Sequence, residues 1–283
     1  MNYPKQLVVI VVFYNPSEEQ IDTFVRLSKS FTVVAVDNSN VKSNINSGRE
    51  FIYLPLLANR GIAAAQNIGI RMAETLEAKY IVFFDQDSAA SDELVKILIC
   101  EYCRIKGLCP NVATVGPRII NKDTGKPYKI CGIDSGKDYA MVQTLISSGS
   151  VVELSTFQQV GFMKEELFID MVDTEWCWRA YSKGFVCCIS NRTKLLHKVA
   201  QKERHLFGFP VLIAAPMRYY YIYRNFIILC SYRYVPLQNK IKTLIRRIIE
   251  PFFLLWVVKD RKAIFVNIAK GLRDGIKQVY CGR

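Results

Sequence analysis

The chain has 283 residues, 51% of them hydrophobic and 22% charged, with a net charge of +13. That is enough to bury a large core, as one big domain or one domain with an appendage. Nine cysteines scattered through apolar stretches fit free thiols in a reducing compartment. The pair Cys100/Cys103 lies in a helical pattern with no second ligand pair at zinc spacing. A mean hydropathy of +0.11 brings a membrane surface into consideration. No apolar run reaches the ~18–20 residues of a spanning helix, however, and the first 20 residues lack the pattern of a secretory leader.

The first half alternates. LVVIVVF (7–13) and TVVAVD (32–37) are short, β-branched, wholly apolar runs of the kind buried on both faces of a parallel sheet. Between them, a helix is expected after Ser17 as N-cap. FIYLP (51–55) reads as a third strand, residues 61–77 as a helix and KYIVFFD (79–85) as a fourth strand. A helix capped by Ser91 and closed by Gly107 follows, then a strand beginning in NVATVGPRII. Residues 121–140 read as loop, YAMVQTLISSGSVVEL returns to strand character, DTEWCWRAYSKGF reads as a helix, and FVCCIS as the last strand. The pattern predicts an α/β fold with a mainly parallel sheet.

Beyond about residue 200 the text becomes aromatic and basic. Residues 231–283 hold twelve Lys and Arg against three acids, a net of +9, which leaves about +4 for the rest. Apolar blocks such as PFFLLWVV beside Arg and Lys suit an interfacial helix, although a helical cap with solvated charges has the same composition. The charge points to an acidic partner of the tail.

Ligands of open α/β sheets bind at the carboxyl ends of the strands. Four such ends are polar here: FYNP, DNSN, ANRG and DQDS. No G-x-G-x-x-G or Walker sequence follows the first strand. Asp37 could accept from a ribose hydroxyl or a base N–H, and equally reads as an Asx-turn. Asp85 and Asp87 at i and i+2 can turn onto one hard cation, a need that Ser91, already a sufficient cap, does not explain. Asp170, Asp173 and Glu175 fall within six residues, beside Trp176 and Trp178, where one could act as a general base. His197 and His205 are the only histidines; either could complete a metal site or serve structurally.

Together VVFYNP, VDNSN, NRGIAAAQNIGI, FFDQDS, SSGS, GFMKEELFIDMVDTEWCWRA, LLH and RYYYIYRN, in order from about residue 7 to 226, resemble the family-2 glycosyltransferases with a GT-A fold, most closely their bacterial rhamnosyltransferase branch. The resemblance implies a Rossmann-like mixed, mainly parallel sheet flanked by helices. A catalytic domain over residues 1–215 and a basic helical extension over 216–283 would make up the chain. It implies a nucleotide-sugar site formed by Phe13, Tyr14, Asn15, Asp37, Asn38, Asn59, Gly61, Ala65, Asn67, Asp85 and Gln86. Asp85 and Asp87, with His197 as a third contact, would hold Mg2+ or Mn2+ on the diphosphate. Asp173 would be the base, with Glu175 as its rival because Val172 stands where many members have Glu. Ser148, Gly149, Glu175, Trp176 and Arg224 would border the acceptor or sugar. The role of the Arg224–Asn225 pair does not follow from the sequence.

The implied activity is inverting transfer of L-rhamnose from dTDP-rhamnose to a glycan or lipid-linked acceptor in O-antigen or capsule assembly. The enzyme would sit peripherally on the cytoplasmic face of the bacterial inner membrane, its tail on anionic lipid, with no nucleic-acid partner and an open oligomeric state. A galactofuranosyl or glucosyl transferase would share these motifs. A catalytically retired nucleotide-sugar-binding protein is disfavoured by the intact Asp85, Asp87 and Asp173.

Overall fold

A computed structural model describes residues 6–45, 50–122, 124–128, 132–135, 138–197, 202–206, 209–258 and 260–281. The chain divides into two units, Met1–Phe168 with Val172–Lys198, and Ile169–Met171 with Val199–Arg283.

In the first unit, β1 (Leu7–Phe13) is buried at all seven positions. It pairs in parallel with β2 (Thr32–Asp37) on one side and β4 (Tyr80–Asp85) on the other, and β3 (Phe51–Pro55) adds in parallel to β2. Fully apolar strands suit this interior, because helices cover both faces. α1 (Glu18–Leu27) starts at a complete capping box between Ser17 and Gln20. α2 (Ile62–Thr75) follows β3, and α3 (Asp92–Leu108) starts at Ser91, whose side chain accepts from the Leu94 N–H.

β5 (Val112–Asn121), β6 (Gly132–Ser135), β7 (Tyr139–Val142), β8 (Val151–Glu153) and β9 (Val186–His197) complete a nine-stranded mixed sheet of order β3-β2-β1-β4-β8-β5-β9-β7-β6. β8 runs antiparallel to both β4 and β5, while β5 and β9 are parallel. α4 (Leu154–Val160) and α5 (Val172–Ser182) flank this half. One hydrophobic core, including Phe13, Phe24, Val82, Leu98 and Tyr102, runs beneath the sheet.

The second unit holds a hairpin, β10 (Lys202–Leu206) and β11 (Phe209–Ile213), and three helices: α6 (Pro216–Ser231), α7 (Leu237–Val257) and α8 (Arg261–Cys281). Its core is small and includes Tyr219, Tyr223, Leu254, Ile264 and Ile268. Among the described residues no helix is long and apolar enough to cross a membrane.

Several expectations need correction. Gly107 does not close α3, which runs on to Leu108 and ends when the Cys109 N–H bonds to Ile105 O. Residues 121–140 are not all loop, since β6 lies among them. The run from Tyr139 to Leu154 contains two strands, because 143–150 leave the sheet. FVCCIS is not the last strand: β9 continues through the polar SNRTK, with a register irregularity against β5 between Pro117 and Arg118, and the β10–β11 hairpin follows. A polar stretch alternating between inward and outward positions has no apolar run to announce it.

Candidate functional site

The register of the parallel strands builds the site. Phe13 pairs with Asp37, and Val12 with Asp85, so three adjacent strands deliver their carboxyl ends to one edge. Asp85 ends β4, Asp87 stands two residues on, and His197 ends β9. One ligand atom from each lies within 4.8 Å of the others. His197 Nε2 is 3.9 Å from Asp85 Oδ2, and His197 Nδ1 is buried with no hydrogen-bond partner among the described residues. Burial pushes the Asp85 carboxyl up to about 6, although 38% of its side chain meets solvent; His197 pulls it down, and the charges of Asp87 and Asp173 push it further up. Two carboxylates within reach of one point, one of them buried and disfavoured as a charge, beside an imidazole, fit a divalent cation such as Mg2+ or Mn2+.

Asp173 is the second residue of α5. Its Oδ2 accepts from the Ser147 N–H at 3.2 Å and its Oδ1 from the Thr174 N–H at 2.8 Å. It lines a small cavity with Phe83, Leu145, Ser147, Met163 and Trp176. The loop that carries Ser147 is tied to the metal-side strand. Ser148 Oγ accepts from the Asp85 N–H at 3.3 Å and lies 2.6 Å from Ser88 Oγ, and the Gly149 N–H donates to Phe83 O at 2.7 Å. Gly149 has φ +75°, and a Cβ there would stand 2.8 Å from Pro117 Cγ, so only glycine lets the loop lie this close to β5.

At the other end of the edge, Asp37 is 1% exposed. Its Oδ1 accepts from the Ser39 N–H and hydroxyl, and its Oδ2 from the Ser43 N–H and hydroxyl and from the Tyr53 hydroxyl at 2.7 Å. Burial alone would raise its pKa; these hydrogen bonds outweigh it and hold the carboxyl below its ordinary value. Burial and then Asp37 push the Tyr53 hydroxyl up to about 12. Asp37 therefore holds the loop 38–43 in shape. Asn38 donates to Asn59 Oδ1 and accepts from the Arg60 N–H, and Asn59 Oδ1 accepts from the Gly61 N–H. The Gln86 amide makes a reciprocal pair with the Tyr14 backbone, and the Asn15 N–H donates to Ser39 Oγ. Tyr14, Asn15, Asn38, Asn59 and Gln86 thus form one connected rim.

Other expected residues have different tasks. The Phe13 ring is in the core, edge-on to Phe24, and only its carbonyl serves the rim by accepting from the Asn38 N–H. Ala65 is buried within α2. Asn67 exchanges hydrogen bonds with the Met163 backbone and donates to Glu165, so it pins residues 163–165. Glu175 is 0% exposed, in a two-pronged ion pair with Arg179 at 2.7 and 3.0 Å; Arg179 also donates to Val160 O and Phe162 O. A carboxylate closed in this way is scaffold. Trp176 is buried, donates to Gly161 O and packs on Phe157, reaching only the cavity beside Asp173. Arg224 belongs to the second unit. Ser147, Ser43 and Tyr53 were missed; Ser147 stood within the quoted SSGS.

The family described as Glycosyl transferase family 2 matches residues 8–142. The dTDP-rhamnosyl transferase RfbF of Shigella flexneri is 31% identical over 292 aligned positions, 98% of this chain and 97% of that protein. Among solved structures, TarS 1–349 of S. aureus superposes with a TM-score of 0.57 at 16% identity, over 97% of this chain and 82% of that one. GalNAc-T7, solved with UDP, GalNAc and Mn2+, gives 0.56 at 12% identity, over 85% and 54%. Both share the fold.

The cluster makes a prediction. With the folded-state carboxyl of Asp85 near 6 against an unfolded value of 3.8, the folded chain binds the extra proton between them. Ionising Asp85 therefore destabilises the metal-free fold as pH rises through that window. A cation that binds the ionised form offsets this. Mn2+ at about a hundredfold its Kd should stabilise the protein by about 2.7 kcal/mol, and the rise in melting temperature should be larger at pH 7.5 than at pH 5. Asp87→Ala should abolish the rise; an unchanged Mn2+ shift in that variant would remove Asp87 from the cluster.

Proposed function

The chain belongs to glycosyltransferase family 2 and is a glycosyltransferase; on that footing we propose that it transfers L-rhamnose from dTDP-β-L-rhamnose to a glycan hydroxyl with inversion at C1. The observation that carries the donor is the similarity to a dTDP-rhamnosyl transferase along nearly the whole of both chains.

Asp85, Asp87 and His197 would hold Mg2+ or Mn2+. The cation would supply positive charge to the departing diphosphate as a Lewis acid. Asp173 takes the proton from the acceptor oxygen as it attacks. The Ser147 and Thr174 N–H groups hold the Asp173 carboxylate in place. A single displacement needs one base, and Glu175, closed by Arg179, leaves Asp173 as that base. Asp37 acts on the nucleoside through the loop 38–43, since its own oxygens are engaged by Ser39, Ser43 and Tyr53. Residues 1–215 would form the catalytic part.

We place the acceptor at a membrane. α7 exposes Leu237, Ile241, Ile245, Ile248, Phe252 and Trp256, the last at 76%. These recur at helical spacing and share one outward sector. Lys242 and Arg246, also exposed, flank it. Apolar groups beside cations suit an anionic lipid surface, in keeping with a peripheral enzyme on the cytoplasmic face of the bacterial inner membrane and a lipid-linked acceptor.

Two experiments test this reading. In a panel of nucleotide sugars with Mn2+, dTDP-rhamnose should be the donor consumed, and Asp173→Asn should lower turnover by about 10²–10⁴-fold while dTDP binding by calorimetry persists. Preference for a galactofuranosyl or glucosyl donor would overturn the sugar, and undiminished turnover in Asp173→Asn the base. In flotation assays the protein should bind phosphatidylglycerol vesicles and not neutral ones. Phe252→Ser with Trp256→Ser should release it without disturbing the buried Leu254 and Ile264; persistent binding would sink the role of α7.

A further inference from the structure

The stretch RYYYIYRN, residues 218–225, takes no part in the site described so far. It forms the first turns of α6, and Arg218 and Asn225, seven residues apart, share one face of that helix. Both reach the same short segment. Arg218 pairs with Asp170 through Nε at 3.0 Å and Nη2 at 2.6 Å. Asn225, 0% exposed, donates from Nδ2 to Ile169 O at 2.7 Å and Asp170 O at 3.0 Å. Arg224 donates to Asn225 Oδ1 from Nε at 3.1 Å and Nη2 at 2.9 Å, which turns the amide NH2 toward those two carbonyls. Arg224 is itself stacked over the rings of Tyr220 and Tyr221.

The backbone being gripped is strained. Phe168, Asp170 and Met171 have φ of 62°, 66° and 67°, a conformation that side chains with a Cβ adopt rarely. Such conformations persist where the surroundings over-determine them, and they cluster at functional sites. Here the segment leads directly into α5, and Asp173 is two residues beyond Met171. The turn is the covalent lead-in to the first turn of α5, where Asp173 accepts from the Ser147 N–H.

We infer that Arg218 and Asn225 are positioning residues for Asp173, clamping the left-handed turn Ile169–Met171 from which α5 emerges. The inference rests on the reading of Asp173 as the base. Arg224 acts one step behind, by orienting the Asn225 amide. The clamp explains why a polar Asn is buried on a helix whose other buried residues are Tyr219, Tyr223, Phe226, Ile228 and Leu229.

Hydrogen exchange and turnover together test it. Asn225→Ala should raise exchange in residues 168–172 and also in the segment carrying Ser147, whose N–H loses its Asp173 acceptor. Turnover of dTDP-rhamnose should fall roughly ten- to a hundredfold, as for a misplaced catalytic group, with KM for the donor unchanged. Adding Met171→Gly, which admits the positive φ without steric cost, should restore part of both. Arg218→Lys, which keeps the charge and loses the two-pronged pairing, should give a milder form of the same changes if Asn225→Ala does not fold. Wild-type exchange at Ser147 with wild-type turnover in Asn225→Ala would overturn the inference, as would a loss that Met171→Gly leaves unrelieved. If the unaltered protein consumes no dTDP-rhamnose, the donor assignment falls separately, and exchange at Ser147 alone decides the clamp.

Discussion

The parallel register of β1 against β2 and β4 is the constraint on which the site depends. It pairs Val12 with Asp85 and Phe13 with Asp37. Side chains alternate along a strand, so a slip of one residue would turn Asp85 from the ligand edge and bury a charge among Val and Phe. Register is strongly specified here because β1 is buried throughout its length. The apolar core and the chemistry are thus set by one pairing: the interior of each strand selects the register, and the register selects which polar residue arrives at the edge.

The two carboxylates on that edge are treated in opposite ways. Asp37 is buried deeper, yet protein donors on both oxygens keep it ionised, and it shapes a loop. Asp85 has no such donors among the described residues, and burial first, then the charges of Asp87 and Asp173, disfavour its charged form. Two unit charges about 4 Å apart at an effective dielectric of about 20 repel by about 4 kcal/mol, which exceeds what a single hydrogen bond returns. A cation removes that cost and a proton removes it only by discarding a charge. This contrast separates the structural acid from the one proposed to hold a metal.

Much of this was legible in the sequence where the signal is local. The buried parallel strands are continuous β-branched runs, Ser17 and Ser91 cap as their positions suggest, and Asp85 and Asp87 stand at a strand end. What was missed depends on pairing over long distances. Tyr53 reaches Asp37 across 16 residues and Ser147 reaches Asp173 across 26, and nothing in either stretch announces the partner. The polar half of β9 and the strand KERHL carry no apolar run, and FPVLI is short and interrupted by Pro210. Glu175 is a different case: Arg179 four residues on is the spacing of a helical ion pair, so its structural role could have been read, but its place in an acidic cluster drew it toward the base.

Crystals grown with Mn2+ and dTDP, with data collected at the manganese edge, test the central claim most directly. One anomalous peak within bonding distance of Asp85, Asp87 and His197, with Asp173 near but outside its coordination shell, is the predicted result. A peak that excludes Asp85 or Asp87, or one bound by Asp173, would contradict the division between metal-binding acids and base.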